Sequence, residues 1–202
     1  MSKARQGGKT GLEVFADTVK TTSGKGPAPV YLWNPPDCGD IDMRIAADGT
    51  WFYLGTPIGR PALVKLFASV LKREGEAYFL VTPVEKCGIK VDDAPFAAVE
   101  LRLRDGSAGR ELHLRTNVDD WVRVGTDHPL RFETEAASGG LRPYVLVRAG
   151  LWARLTRALW YDLAGLGEVR DVDGRALFGV VSAGEFYPMA PADSLEDVAP
   201  PT

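Results

Sequence analysis

Trp51-Phe52-Tyr53-Leu54-Gly55-Thr56-Pro57-Ile58-Gly59-Arg60 runs directly into Pro61-Ala62-Leu63-Val64-Lys65-Leu66-Phe67-Ala68-Ser69-Val70-Leu71. Further along, Tyr144-Val145-Leu146-Val147-Arg148-Ala149-Gly150 runs into Leu151-Trp152-Ala153-Arg154-Leu155-Thr156-Arg157-Ala158-Leu159-Trp160. Each stretch reads as an apolar strand, a glycine at the turn, an arginine beside it and an amphipathic helix. The chain therefore looks duplicated, with two similar halves, and ligand sites often form where such halves meet.

Working outward, the first helix is expected from about Gly59 to Arg73, with Leu63, Leu66, Phe67, Val70 and Leu71 in one stripe and Pro61 in the first turn. The second is expected directly after Arg148, with Trp152, Leu155, Leu159, Trp160 and Leu163 on one side. Leu12, Phe15, Ala16 and Val19 predict a short N-terminal helix. Strands are expected at Ile41 to Ile45 and Trp51 to Leu54, joined by Asp48-Gly49, then at Glu76 to Val81 and Lys86 to Val91.

In the second half Val99, Leu101 and Leu103 alternate with Glu100, Arg102 and Arg104, one face buried and one wet. Leu112 and Leu114 alternate with Glu111, His113 and Arg115, and strands follow at 121–124, 130–134, 176–181 and 185–187. The class is α+β, with largely antiparallel sheet and at least two helices. The organisation reads as a short helix and linker at 1–29, α+β subdomains at 30–95 and 96–188, and an acidic, disordered tail at 189–202.

With 202 residues the chain can bury a core. A formal net charge of -3 argues against a nucleic-acid polymer as main partner. The ends differ in charge: residues 1–30 carry five bases and two acids, residues 189–202 three acids and no base. All twelve basic residues between Phe96 and Pro188 are arginine. No segment approaches a membrane span, and no signal peptide is evident. Cys38, Cys87, His113 and His128 lack metal-ligand spacing, and two cysteines are not a disulfide framework. The expectation is a reduced, cytoplasmic protein without metal or cofactor.

Gly7-Gly8-Lys9-Thr10 ends like a phosphate loop but lacks the earlier glycine and a preceding strand. Asp127-His128-Pro129 with Ser182 would give a hydrolase its acid, base and nucleophile, against the plainer reading of a turn. Asp37, Asp40 and Asp42, and the doublets Asp92-Asp93 and Asp119-Asp120, read as surface charge rather than a calcium loop. Arg60 and Arg148, each beside a turn, suit either an anionic ligand at a helix N-terminus or a salt bridge to an aspartate. Thr82, Glu85 and Asn117 leave strand ends, where polar recognition groups and turn chemistry compete.

A longer pattern comprises Trp33-Asn34-Pro35, Gly39, Ile41-Asp42-Met43, Asp48-Gly49, Trp51, Gly55, Pro57-Ile58 and Arg60. It continues with Leu80 to Lys86, Asp92 to Phe96, Thr116-Asn117, Asp127-His128-Pro129, Arg142-Pro143-Tyr144, and Arg148 with Gly150-Leu151. From about Trp33 to Pro188 it resembles an uncharacterised proteobacterial family of domains of unknown function. The resemblance implies a duplicated α+β core and a C-terminal half like a pleckstrin-homology domain. It also implies a site at the interface of the halves for a nucleotide-like molecule, in signalling.

The leading expectation is a non-enzymatic ligand-binding or sensor protein. Arg60 and Arg148 would hold an anion, Thr82 and Asn117 would orient a polar ring, and Glu85 would accept from a donor. Trp51 or Tyr144 offers a stacking face, though both suit a core. The alternatives are an interaction module that docks a signalling protein and no small ligand, or a small hydrolase.

Overall fold

The computed structural model describes residues 16–17, 19–20, 27–135 and 139–193. The chain divides into two compact units, Met1–Asp93 and Ala94–Thr202. It is α+β and mostly sheet, with two similar six-stranded sheets.

The N-terminal unit runs β1 (Asp37–Ile45), β2 (Trp51–Tyr53), β3 (Thr56–Pro57), α1 (Pro61–Ser69), β4 (Leu71–Glu74), β5 (Ala77–Val81) and β6 (Lys86–Val91). Its sheet has the order β3-β2-β1-β6-β5-β4, two antiparallel meanders joined along the parallel pair β1–β6. Met43, Ile45, Trp51, Phe67, Val70, Leu71 and Leu80 are at most 2% exposed and form the core. The Trp51 and Phe67 rings stack at 6.3 Å, which fixes α1 against β2.

α1 is shorter than its apolar stripe suggests. Pro61 opens it, and Val70 ends it in a non-helical conformation. Leu71 to Arg73 are strand, not helix, because Leu71 pairs with Leu80 in the β4–β5 hairpin. Burial of Val70 and Leu71 is satisfied equally by a helix face and by a strand, and the hairpin decides between them.

The C-terminal unit runs β7 (Phe96–Gly106), β8 (Gly109–Thr116), β9 (Trp121–Arg123), β10 (Leu130–Thr134), β11 (Leu141–Arg148), β12 (Leu151–Leu155), α2 (Arg157–Ala164), β13 (Glu168–Val172), β14 (Arg175–Ser182) and β15 (Glu185–Pro191). Its large sheet has the order β10-β11-β12-β7-β8-β9, again two meanders joined by one parallel pair, β12–β7. β13-β14-β15 form a separate antiparallel sheet that packs on β8.

The second helix does not follow Arg148 directly. Ala149 (φ 42) and Gly150 (φ 75) form a two-residue hairpin turn, and Leu151–Leu155 return as β12 with strictly alternating burial. α2 begins only after Thr156, whose Oγ1 accepts from the Leu159 N–H. Leu54 (φ 50) and Gly55 (φ 72) make the same turn between β2 and β3. The duplicated unit is therefore strand, two-residue turn, strand, helix.

Three further expectations change. Val99 (38%) and Leu103 (50%) are exposed, so β7 does not bury its apolar stripe. Leu112 and Leu114, facing β14, are the buried members of that face. Met189 to Pro191 are not tail but the end of β15. Ala28, assigned to the linker, is buried and donates to the Ser69 carbonyl at 2.9 Å. Gly7 to Thr10 and most of the N-terminal helix lie outside the described residues.

Candidate functional site

Arg60 is the N-cap of α1, and its side chain makes no cap hydrogen bond. Its carbonyl accepts from Leu63 and Val64, while Pro61 has no N–H to offer, so the first turn needs little external capping. Beside this end lies a cavity of about 360 Å³, lined by Ala16, Asp17, Lys20, Arg60, Ala62, Leu63 and Leu66. It lies within the N-terminal unit, between the helical residues 16–17 and 19–20 and α1. The lining combines four aliphatic side chains with two bases and one acid; Lys20 and Asp17 pair at 3.3 Å. Lys20 and Asp17 were not among the sequence candidates. Their only signal was i,i+3 spacing on a short helix.

Thr82 is fully buried and its hydroxyl is consumed by a turn. Its Oγ1 accepts from the N–H of Val84 (3.4 Å) and of Glu85 (3.2 Å), and the Thr82 N–H donates to the Glu85 carbonyl at 2.9 Å. Thr82 thus fixes where Glu85 leaves the turn and enters β6. Glu85 lies beside the two cysteines, contrary to the expectation of unrelated, reduced thiols. Cys38 on β1 and Cys87 on β6 form a disulfide, with Cα atoms 5.3 Å apart and a sequence separation of 49. Closing that loop removes unfolded-state entropy worth about 4 kcal/mol in the chain-entropy account. One ligand atom from each of Cys38, Glu85 and Cys87 lies within 4.8 Å of the others.

An ion-pair cluster links β6 to the edge strand β4 of the same sheet. Lys86 donates to Glu74 at 3.0 Å, and Lys72 lies 2.9 Å from the same carboxylate. Those two ammonium groups, Lys72 foremost, hold the Glu74 carboxyl below its ordinary range.

In the C-terminal unit, Asn117 and Arg148 have structural partners. The Asn117 side-chain carbonyl accepts from the Ala97 N–H at 3.1 Å, and the Asn117 backbone N–H donates to the Ala97 carbonyl at 2.8 Å. The amide thereby ties the turn after β8 to β7. Arg148 donates to Asp120 at 2.5 Å and lies over the Phe96 ring at 5.0 Å. The salt-bridge reading of this arginine is the one the fold realises. Trp51 and Tyr144 are each 1% exposed and belong to the core.

The hydrolase constellation is not assembled around a usable serine. Ser182 is fully buried; its Oγ accepts from the Leu112 N–H at 2.9 Å and donates to the Val124 carbonyl at 2.7 Å. His128 closes a turn with Gly125, and its Nδ1 lies 3.0 Å from the Leu146 carbonyl, so that nitrogen carries the proton. The acids are similarly occupied: Asp37 accepts from Gly39, Asp92 from Arg44, and Asp119 from Arg115.

The outer face of β7–β8–β9 carries a charge ladder. Glu100 joins Arg115 and Arg102, and Glu111 joins Arg123 and His113. The hydrogen bonds from Arg115 and from Arg123, respectively, hold these two carboxyls below their ordinary range.

Residues 28–94 match the family described as "Domain of unknown function (DUF1285), N-terminal domain", and residues 95–189 match "Protein of unknown function (DUF1285), C-terminal domain". The chain belongs to the DUF1285 family. A DUF1285 family protein from Silicibacter pomeroyi DSS-3, solved by crystallography, is 49% identical with a TM-score of 0.84; the match covers 94% of this chain and 100% of that one. Another, from Shewanella baltica OS155, is 30% identical with a TM-score of 0.50, over 62% of this chain and 91% of that one. No curated protein matches. This DUF1285 chain has no helix long and apolar enough to cross a membrane among its described residues.

Proposed function

We propose that this DUF1285 protein is a non-enzymatic ligand-binding or sensor protein that takes an anionic small molecule into the cavity beside Arg60. The supporting observation is the cavity itself: about 360 Å³, within the range of small-molecule pockets, lined by aliphatic side chains of α1, by the cationic Arg60 and Lys20, and by Asp17, which pairs with Lys20. An apolar wall with few charged groups suits a ligand with one flat or aliphatic part and one acidic part, and a nucleotide-like molecule has that form. On this reading the protein is cytoplasmic and acts in signalling, and its C-terminal half is the pleckstrin-homology-like partner of the binding half. Arg60 is the residue carried over from the sequence candidates. Thr82, Asn117 and Arg148 serve as structural supports.

A thermal-shift screen of the full chain against nucleotides, cyclic dinucleotides and phosphorylated metabolites tests this. A ligand at a hundred times its Kd stabilises by about 2.7 kcal/mol, a midpoint rise of roughly 5–10 °C. The rise should vanish in Arg60→Ala and shrink in Lys20→Ala. If no compound shifts the wild-type midpoint, the reading passes to a protein-docking module, for which the adjacent, exposed Tyr31 and Leu32 are the first contacts to substitute.

A further inference from the structure

We infer that Cys38, Cys87 and Glu85 form a redox-gated site for a thiophilic divalent cation, open when the disulfide is reduced and closed when it forms. Three observations carry this. First, the cysteines are neighbours because of the sheet, not because of the bond. β1 and β6 pair in parallel, with Asp37 opposite Lys86 and, after a register shift, Asp40 opposite Gly88, so Cys38 and Cys87 lie between two paired positions on adjacent strands. Their Cα separation of 5.3 Å is close to the spacing of adjacent strands, and reduction leaves the two thiols side by side.

Second, Glu85 is the last residue of the turn that opens β6, two positions before Cys87, and its carboxylate lies near both sulfurs. The Thr82 hydroxyl pins the backbone of Glu85, and the three potential ligand atoms already lie within 4.8 Å of one another. Zinc–sulfur bonds of roughly 2.3 Å at a tetrahedral angle need sulfurs roughly 3.7 Å apart, which rotation about the two Cα–Cβ bonds can supply. Third, access is one-sided. Cys87 is buried and Cys38 exposed, so the site is anchored in the core and reached from solvent.

The donor set specifies the cation. Two thiolates and one carboxylate favour zinc over magnesium or calcium, and three protein ligands leave a fourth position for water or an exogenous group. The chemistry balances. A dithiol reductant gives two electrons to the Cys38–Cys87 bond, yielding two thiols and the oxidised reductant. Zinc then binds as both thiols lose their protons. A small disulfide reverses this: the two thiolates give up two electrons, the Cys38–Cys87 bond re-forms, two small thiolates leave, and zinc is released.

The test is zinc competition with a chromophoric chelator, on the untagged full chain, after reduction by a phosphine and in the oxidised form. Cobalt substitution provides a second signal. The reduced chain should take up one zinc, and cobalt should give a thiolate charge-transfer band with the visible bands of a tetrahedral site. The oxidised chain should bind neither. Cys38 is exposed, so Cys38→Ser leaves the core intact and should abolish binding; Glu85→Gln should weaken it about tenfold or more. The inference fails if the reduced chain takes up no zinc. Equal affinity in the oxidised chain, in Cys38→Ser or in Glu85→Gln overturns it as well.

Discussion

At the scale of single residues, buried hydroxyls hold the loops in place. Ser182 spans three segments: from a strand of another sheet, its hydroxyl accepts a hydrogen bond from the Leu112 N–H and donates one to the Val124 carbonyl. Ser182→Ala would bury an N–H and a carbonyl without partners, and should cost about 1–3 kcal/mol in urea unfolding with an unchanged slope. Its sequence surroundings invite a catalytic reading because serine and histidine are shared by turns and active sites alike. Only the accessibility of Oγ separates the two, and that is a property of packing. Asn117 and Thr82 follow the same logic: both stand at strand ends, and their side chains accept hydrogen bonds from backbone N–H groups.

At the scale of elements, two-residue turns organise the sheets. Leu54-Gly55, Ala149-Gly150, Asp173-Gly174 and Ala183-Gly184 each connect paired strands with both residues at positive φ. This is the turn whose twist matches the strands, and it favours asparagine or aspartate before glycine. Asp173-Gly174 is therefore legible as a hairpin, whereas Ala149-Gly150 shows a turn at its glycine but no hairpin signal, so a helix is expected where β12 returns. An alanine in the left-handed region costs roughly 1 kcal/mol that asparagine largely avoids. Ala149→Asn should therefore stabilise the protein by about 0.5–1 kcal/mol, read as a higher urea midpoint. A lower midpoint would mean that the Ala149 methyl makes contacts worth more than the strain.

At the scale of the molecule, hydrogen-bonded acids in both units make stability pH-dependent. The carboxyls of Asp48, Glu74, Glu100 and Glu111 are all held below their ordinary values, near 3.8 for aspartate and 4.5 for glutamate. For Asp48 the leading cause is the Thr50 N–H; for the others it is a hydrogen-bonded lysine or arginine. A lowered folded pKa contributes stability above the unfolded value and loses it as pH falls through the folded one. The urea midpoint should therefore stay level down to about pH 4.5 and fall below it, and Glu74→Gln should soften that fall. A midpoint that holds flat to about pH 2 would show that these pairs are too exposed to matter.

The local pattern by itself determined the α+β class, the strand–turn signal that repeats in each half, most strands and the family. Those follow from periodicity, glycine placement and motif order along the chain, all of which are local. Only the tertiary structure decided that Leu71 and Leu151 enter strands, that Ser182 and Thr82 point into buried hydrogen bonds, and that Lys20 meets Arg60 at one cavity. It alone placed Cys38 beside Cys87. That contact crosses 49 positions through a parallel pairing of β1 with β6, and nothing in the local pattern of either strand names its neighbour.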